Sequence, residues 1–361
     1  MDKRIYNFSA GPAILPEPVL ERAQHEMASI SGSGLGIMEI SHRSKLFADV
    51  LERAESGIRS LLNIPANYRV LFLQGGATFQ FSMVPMNLLP PDGFAEYVMT
   101  GSWGQKAVKE AARYGYVNAI FSNEQDGFRT APSQDELRFD PNAAYVHYTS
   151  NETIDGVEFK YDLDAGGIPV VCDASSNILS KPIDIDKYAL IYAGAQKNIG
   201  PSGVTVVIIR DDLLGKTLRD LPPLFTYKAI ADNGSLLNTP NTWGIYLTSL
   251  VCDWLEDQGG VEAMAVRNSE KAAILYDAID SSDGFYSGHA MREARSLMNV
   301  TFSLPSPELD EQFCAEAEAH GMDGLRGHRS LGGIRASIYN AFPRAGVECL
   351  VEFMKDFAAR N

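Results

Sequence analysis

The stretch IPVVCDASSNILSKPIDIDKYALIYAGAQKNIGPSGVTVVIIR, residues 168–210, decides the fold. It holds three short apolar runs, IPVVC, YALIYA and VTVVII, each ended by residues that favour turns. Runs of that length between turn signals read as buried strands rather than helices. Working outward, the same kind of run recurs at YRVLFL (68–73), AEYVMT (95–100), VNAIF (117–121) and AAYVHY (143–148), alternating with helical patterns such as FQFSMVPMNLL (79–89). Alternation of this sort predicts an α/β domain whose strands lie parallel and buried, with helices on the faces of a mostly parallel sheet. Beyond residue 259 the pattern changes to long amphipathic helices around single strands, SLMNVTFSL and GGIRASIYN. That change predicts a smaller C-terminal α+β domain over 259–361, a large domain over 16–258, and an N-terminal segment, 1–15, packing near the site or the small domain.

The bulk properties narrow the chemistry. A chain of 361 residues, 45% hydrophobic and 21% charged, suits a globular protein with a sizeable core. No apolar run approaches the roughly 20 residues of a membrane span, and the N-terminus MDKRIYNFSAGP lacks the apolar centre of a secretory signal, so a cytoplasmic protein is expected. Cys172, Cys252, Cys314 and Cys349 show neither CxxC nor CxxH spacing, which argues against a metal site and a disulfide framework. A formal charge of −15 repels nucleic acid and acidic membrane surfaces. An anionic ligand must then be held by local cations.

In open α/β sheets ligands bind beyond the carboxyl ends of the strands. Here those ends carry Gln74-Gly75-Gly76, Thr149 to Thr153, Asp173 and Gln196-Lys197. Lys197 sits in a loop of small residues between two strongly apolar strands, where desolvation would free its lone pair for Schiff-base chemistry. A loop lysine alone more often snorkels to water, and it is the neighbours that argue otherwise. Asp173, at the end of the preceding strand, is placed to keep a pyridine nitrogen protonated, although strand-terminal aspartates also simply cap turns. Gly76 and Ala77 open a helix whose N–H groups suit a phosphate. This loop matches neither GxxxxGK[ST] nor GxGxxG, so a nucleotide fold gains no support. Trp103 is a stacking platform or ordinary core. His42-Arg43, His328-Arg329 and Arg335 would, if they converge, suit a substrate with more than one anionic group.

Together these residues resemble the class V aminotransferases, enzymes of fold type I that depend on pyridoxal 5′-phosphate (PLP). The resemblance runs nearly end to end, through NFSAGPAILP (7–16), GIMEISHRS (36–44), FLQGGATFQF (72–81), TGSWGQKA (100–107), SNETIDGVEF (150–159), AGAQKNIGPSG (193–203), LLNTPNTWGIY (236–246) and GHRSLGGIRASIYNA (327–341). It implies that Lys197 carries PLP as a Schiff base and moves the proton. It further implies that Asp173 pairs with the pyridine nitrogen, Trp103 stacks on the ring and Thr153 contacts the ring hydroxyl. Gly76, Ala77 and Gln196 would anchor the phosphate, joined by Asn238 and Thr239 from the other subunit of a homodimer. Arg335 would take the substrate carboxylate, while His42 and Arg43, with His328 and Arg329 of the partner subunit, grip a distal phosphate or carboxylate. The implied reaction is reversible amino transfer from L-glutamate to 3-phosphohydroxypyruvate, a step of serine biosynthesis. The four-carbon phosphorylated keto acid of vitamin B6 synthesis is an alternative acceptor. Ala77-Thr78-Phe79, Ala174 and Asn241 depart from the commoner family residues, which leaves the packing of the phosphate loop open. A desulfurase is the rival on the same fold, but it needs a mobile cysteine, and Cys314 falls in a helical stretch and Cys172 in a strand. A non-catalytic PLP-binding protein is the rival from another class.

Overall fold

The computed structural model describes residues 4–361, so the first three residues of the expected N-terminal segment lie outside the described residues. The central layer grows from the apolar runs. Helix α1 (Lys45–Leu62), capped by the Ser44 hydroxyl accepting from the Phe47 N–H, precedes strand β1 (Tyr68–Leu73). Helix α2 (Gly76–Leu88), β2 (Phe94–Met99), α3 (Ser102–Ala111) and β3 (Tyr116–Ser122) follow in alternation. The four remaining strands are β4 (Val146–Thr149), β5 (Val170–Asp173), β6 (Leu190–Gly194) and β7 (Thr205–Arg210). They form one seven-stranded sheet in the order β1-β7-β6-β5-β4-β2-β3.

Two expectations need correction. The run VTVVII was expected to lie parallel, yet β7 runs antiparallel to both of its neighbours, β1 and β6. The segment from 195 to 204 that joins β6 to β7 is shorter than the dozen or so residues a parallel crossover needs, so the chain turns straight back. The run VNAIF was expected to be buried, but β3 is an edge strand, with Tyr116 at its start 74% exposed. It pairs on one side only, so only part of its surface is covered.

The register aligns the functional ends. Thr149 on β4 pairs with Asp173 on β5, which pairs with Tyr192 on β6, so the polar residues after these strands emerge side by side. On one face α1 packs against helix α4 (Thr242–Asp257), and a large apolar cluster from Val19 to Met264 includes their contacts. A second cluster, with Phe81, Tyr97 and Tyr192, covers the other face.

The chain after α4 builds a separate core. Helix α5 (Gly260–Asp280), strand β8 (Asn299–Ser303), helix α6 (Pro307–Ala319), strand β9 (Ile334–Ser337) and helix α7 (Arg344–Arg360) surround Phe302, Phe313, Leu350 and Phe357. A fully buried phenylalanine such as Phe313 contributes about 3–5 kcal/mol by the cost of truncating it to alanine. Phe8 and Ile14 from the N-terminal segment bury themselves in this same core, and Tyr6–Asn7 pairs in parallel with Met322–Asp323. On its way the segment crosses the strand ends, where the Ala13 N–H donates to the Gln196 carbonyl. Here the sheet, the C-terminal core and the N-terminal segment meet.

Candidate active site

At this junction lies a cavity of about 300 Å³. Lys197, Asp173, Thr153, Trp103 and Gln196 line it, as do Gly76 and Ala77 at the start of α2. His328 and Arg335, from the C-terminal part of the chain, close it. One wall is therefore the carboxyl end of the sheet, as the fold dictates.

Lys197 stands three residues beyond β6. Its amine donates to the Thr153 hydroxyl at 2.6 Å and to the Ser176 hydroxyl at 2.8 Å. Burial lowers its pKa from 10.5 to about 8, against the pull of the Asp173 carboxylate and with help from the Arg335 charge. Asp173 is buried and raised by that burial, though the Ser175 hydroxyl and the Lys197 charge resist the rise. One of its oxygens accepts the Ser175 N–H at 3.0 Å and the Ser175 hydroxyl at 2.6 Å, so the turn itself holds the carboxylate in place.

The loop into α2 passes through Gly75 at φ +92° and Gly76 at φ +70°, a region unfavourable for side chains. A Cβ on Gly75 would meet Phe79 at 2.8 Å, whereas one on Gly76 would meet nothing within 4 Å. The helix has no side-chain cap, so its first N–H groups are left for another acceptor beside the cavity.

Trp103 rides on the first turn of α3, and that turn is bracketed by two carboxylates. Glu152 accepts from the N–H groups of Trp103 (2.9 Å) and Gly104 (2.7 Å), and Asp155 accepts from the Ser102 N–H at 2.9 Å. Burial pushes both carboxyls upward in pKa; the helix N–H groups favour their charged forms. A Cβ on Gly101 would come within 2.3 Å of the Glu152 side chain, so the bracket closes only over glycine.

The Nε of Arg335 is buried without a partner. Burial lowers its pKa. Beside it burial also lowers His328, aided by the charges of Arg335, Lys106 and Arg329. Lys106 lies 3.9 Å from the centroid of the Trp103 ring. A chain of strongly negative net charge thus gathers cations at this mouth.

Not every expected residue is here. His42, Arg43, Arg329, Asn238 and Thr239 do not line the cavity. Asn238 instead borders a separate apolar cavity of about 230 Å³ with Phe79 and Leu237, and the Thr239 carbonyl accepts from the Gln74 side chain at 2.8 Å. Arg43, Arg329, Asn238 and Thr239 are exposed, and the Nε2 of half-buried His42 has no partner. Sequence reasoning also missed Glu152, Asp155, Ser175, Ser176 and Lys106. Two acids in a segment otherwise readable as a strand end, NETID, were the available signal for the bracket.

The donor set fits PLP. An amine and a carboxylate lie near an uncapped helix start, and the Nε1 of Trp103 and the hydroxyl of Thr149 are buried without partners. Among the described residues no cluster of His, Cys, Asp and Glu suits a metal.

Comparison with known proteins agrees. The family profile described as Aminotransferase class-V matches residues 5–350. A phosphoserine aminotransferase of Laribacter hongkongensis (strain HLHK9) is 54% identical over 357 residues, covering 99% of each chain. Among solved structures, the phosphoserine aminotransferase from Bacillus circulans subsp. alkalophilus superposes with a TM-score of 0.97 at 49% identity, covering 99% of each chain. The PLP-bound phosphoserine aminotransferase from Trichomonas vaginalis gives 0.93 at 38% identity over 98% of this chain and 100% of that one.

Proposed function

The chain belongs to the class V aminotransferase family, and on that premise we propose that it transfers the amino group of L-glutamate reversibly to 3-phosphohydroxypyruvate, giving O-phosphoserine and 2-oxoglutarate. Its cofactor is pyridoxal 5′-phosphate. The observation that carries the reading is the meeting of the Lys197 amine, the Asp173 carboxylate and the Arg335 guanidinium in one cavity.

When bound, the cofactor supplies an aldehyde that condenses with amines and a protonated ring that stores the electron pair released at a neighbouring carbon. The protein does the rest. Asp173, held by Ser175, keeps a negative charge beside the ring nitrogen and so favours its protonated form. The N–H groups at Gly76 and Ala77, with Gln196, bind the phosphate. Trp103 stacks on the ring and Thr153 meets the ring hydroxyl. Arg335 binds the substrate carboxylate in a fork, which orients Cα toward Lys197. The Lys197 amine, partly neutral near pH 8, takes the proton from Cα and returns it on the cofactor side.

His42 and Arg43 of one subunit, with Arg329 of the other, grip the distal phosphate beside His328, which lines its own chain's cavity instead of reaching in from the partner, while Asn238 and Thr239 reach across to the partner's cofactor. A homodimer with shared sites is thus part of the proposal. Its support is that Arg329, Asn238 and Thr239 stand exposed and off their own chain's cavity. The division into segments 1–15, 16–258 and 259–361 is proposed from the two separate cores. Cytoplasmic residence is proposed from four cysteines that are all free thiols. Use of the four-carbon acceptor of vitamin B6 synthesis is proposed as a second activity of the same phosphate grip.

A half-reaction screen tests the function. Holoenzyme is mixed separately with glutamate, phosphoserine, alanine and serine, and the cofactor absorbance band is followed. Glutamate and phosphoserine should convert the band at least about tenfold faster than serine, the discrimination expected of a charge-assisted contact. Equal rates for serine and phosphoserine would contradict the assignment.

A further inference from the structure

We propose that Ser176 is a positioning residue: with Thr153 it fixes the direction in which the Lys197 amine presents its lone pair. The three polar atoms form a closed triangle. Lys197 Nζ is 2.6 Å from the Thr153 hydroxyl and 2.8 Å from the Ser176 hydroxyl, and the two hydroxyls are 2.6 Å apart. Thr153 and Ser176 are 3% and 1% exposed, so water does not compete for these bonds.

The hydrogen atoms in this cluster follow from what surrounds it. The Tyr339 hydroxyl lies 2.8 Å from the Ala10 carbonyl, which only accepts, so the single phenolic hydrogen goes there. The Asn299 amide donates to the same phenolic oxygen at 3.0 Å; its own carbonyl oxygen accepts from Asn151 at 3.0 Å, which fixes the orientation of the amide. A phenol whose hydrogen goes to Ala10 does not donate to Ser176, so the hydrogen bonds that reach the two hydroxyls are the one between them and those from the Lys197 amine.

Both hydroxyls therefore turn acceptor lone pairs toward Lys197. A neutral amine has two N–H groups and one lone pair. Both N–H groups are committed to Thr153 and Ser176, and the lone pair points away from them, toward the cavity that Lys197 lines. In the proton transfer, this lone pair bonds the proton leaving substrate Cα, and the C–H electron pair stays with the carbon and the conjugated ring system. The ammonium then has its third hydrogen at the same vertex, from which it is returned. One vertex serves for removal and return because the other two are pinned. Burial lowers the amine's pKa to about 8, so a neutral fraction with a free lone pair is present near that pH, which suits the same role.

This inference rests on the reading of Lys197 as the proton-transferring amine, and the test separates the two. The glutamate half-reaction is run in a single turnover with protium or deuterium at Cα, beside PLP affinity and thermal melting. Ser176→Ala should slow the half-reaction by about tenfold or more and enlarge its deuterium effect, because a small misplacement near reacting atoms is costly. PLP affinity should stay within about threefold of the parent, since Ser176 acts on the amine and not on the phosphate anchor. Ser176→Cys, nearly isosteric but a weak acceptor, should raise the deuterium effect in the same direction by a smaller amount. It carries the test should Ser176→Ala fail to fold. A parental rate and isotope effect in these variants would overturn the inference, as would a slowing matched by an equal loss of PLP affinity. A Lys197→Ala enzyme that retained a fast, deuterium-sensitive half-reaction would instead overturn the underlying reading.

Discussion

Lys197 is held between opposing influences, and the balance makes a prediction. Burial favours the neutral amine, the Asp173 carboxylate favours the ammonium, and the result lies at about 8. Below that pH the ammonium has no lone pair to attack an aldehyde. The rate at which apoenzyme takes up PLP covalently should therefore rise about tenfold per unit up to pH 8 and flatten above it. Stopped-flow absorbance measures this directly; a profile still climbing steadily toward 10.5 would show the lysine to be unperturbed. The same shift affects stability, because the unfolded lysine binds more protons than the folded one between 8 and 10.5. Through that window this group adds stability as pH rises. At the residue scale, Lys197 and Asp173 were legible because a strand end in an α/β sheet already says where a side chain goes. Ser176, Glu152 and Asp155 were not, since each gains meaning from a partner on another segment that no local pattern reveals.

The elements that frame the site depend on small residues at close approaches. Helix α3 starts under Glu152 and Asp155, and Gly101 leaves the room they need. Gly101 is fully extended at φ 179°, which any residue adopts, so its constraint is space alone. Gly101→Ala should displace the Glu152 side chain and destabilise the fold by about 1–3 kcal/mol in urea unfolding, the usual cost of overpacking. A parental unfolding midpoint would mean that the bracket is looser than it looks. Most strands were readable from their apolar runs at this scale, but orientation and edge position were not. The run at 204–209 is as apolar as its neighbours; only the length of the preceding connection told that β7 turns back. The run at 117–121 contains Asn118, a hint of exposure that a window of five residues does not weigh.

Across the whole molecule the chain carries a formal charge of −15, yet its cavity at the strand ends is lined by Lys197, His328 and Arg335, and the charges of Lys106 and Arg329 act on His328 from outside it. The two cores and the N-terminal segment converge there, so residues far apart in sequence share one chamber. The change of pattern near residue 259 made two cores expected. That Phe8 and Ile14 belong to the C-terminal one was not visible, because a short segment without periodicity can pack on either. Among the described residues Lys197 is the only lysine that lines the cavity, and the central claim rests on that placement. The most direct measurement is reduction of the holoenzyme with borohydride, followed by digestion and mass spectrometry of the fixed cofactor. The account predicts one pyridoxyl label, on Lys197, and none in Lys197→Ala although that variant still binds PLP through the α2 loop. A label on any other lysine, Lys106 included, would contradict it.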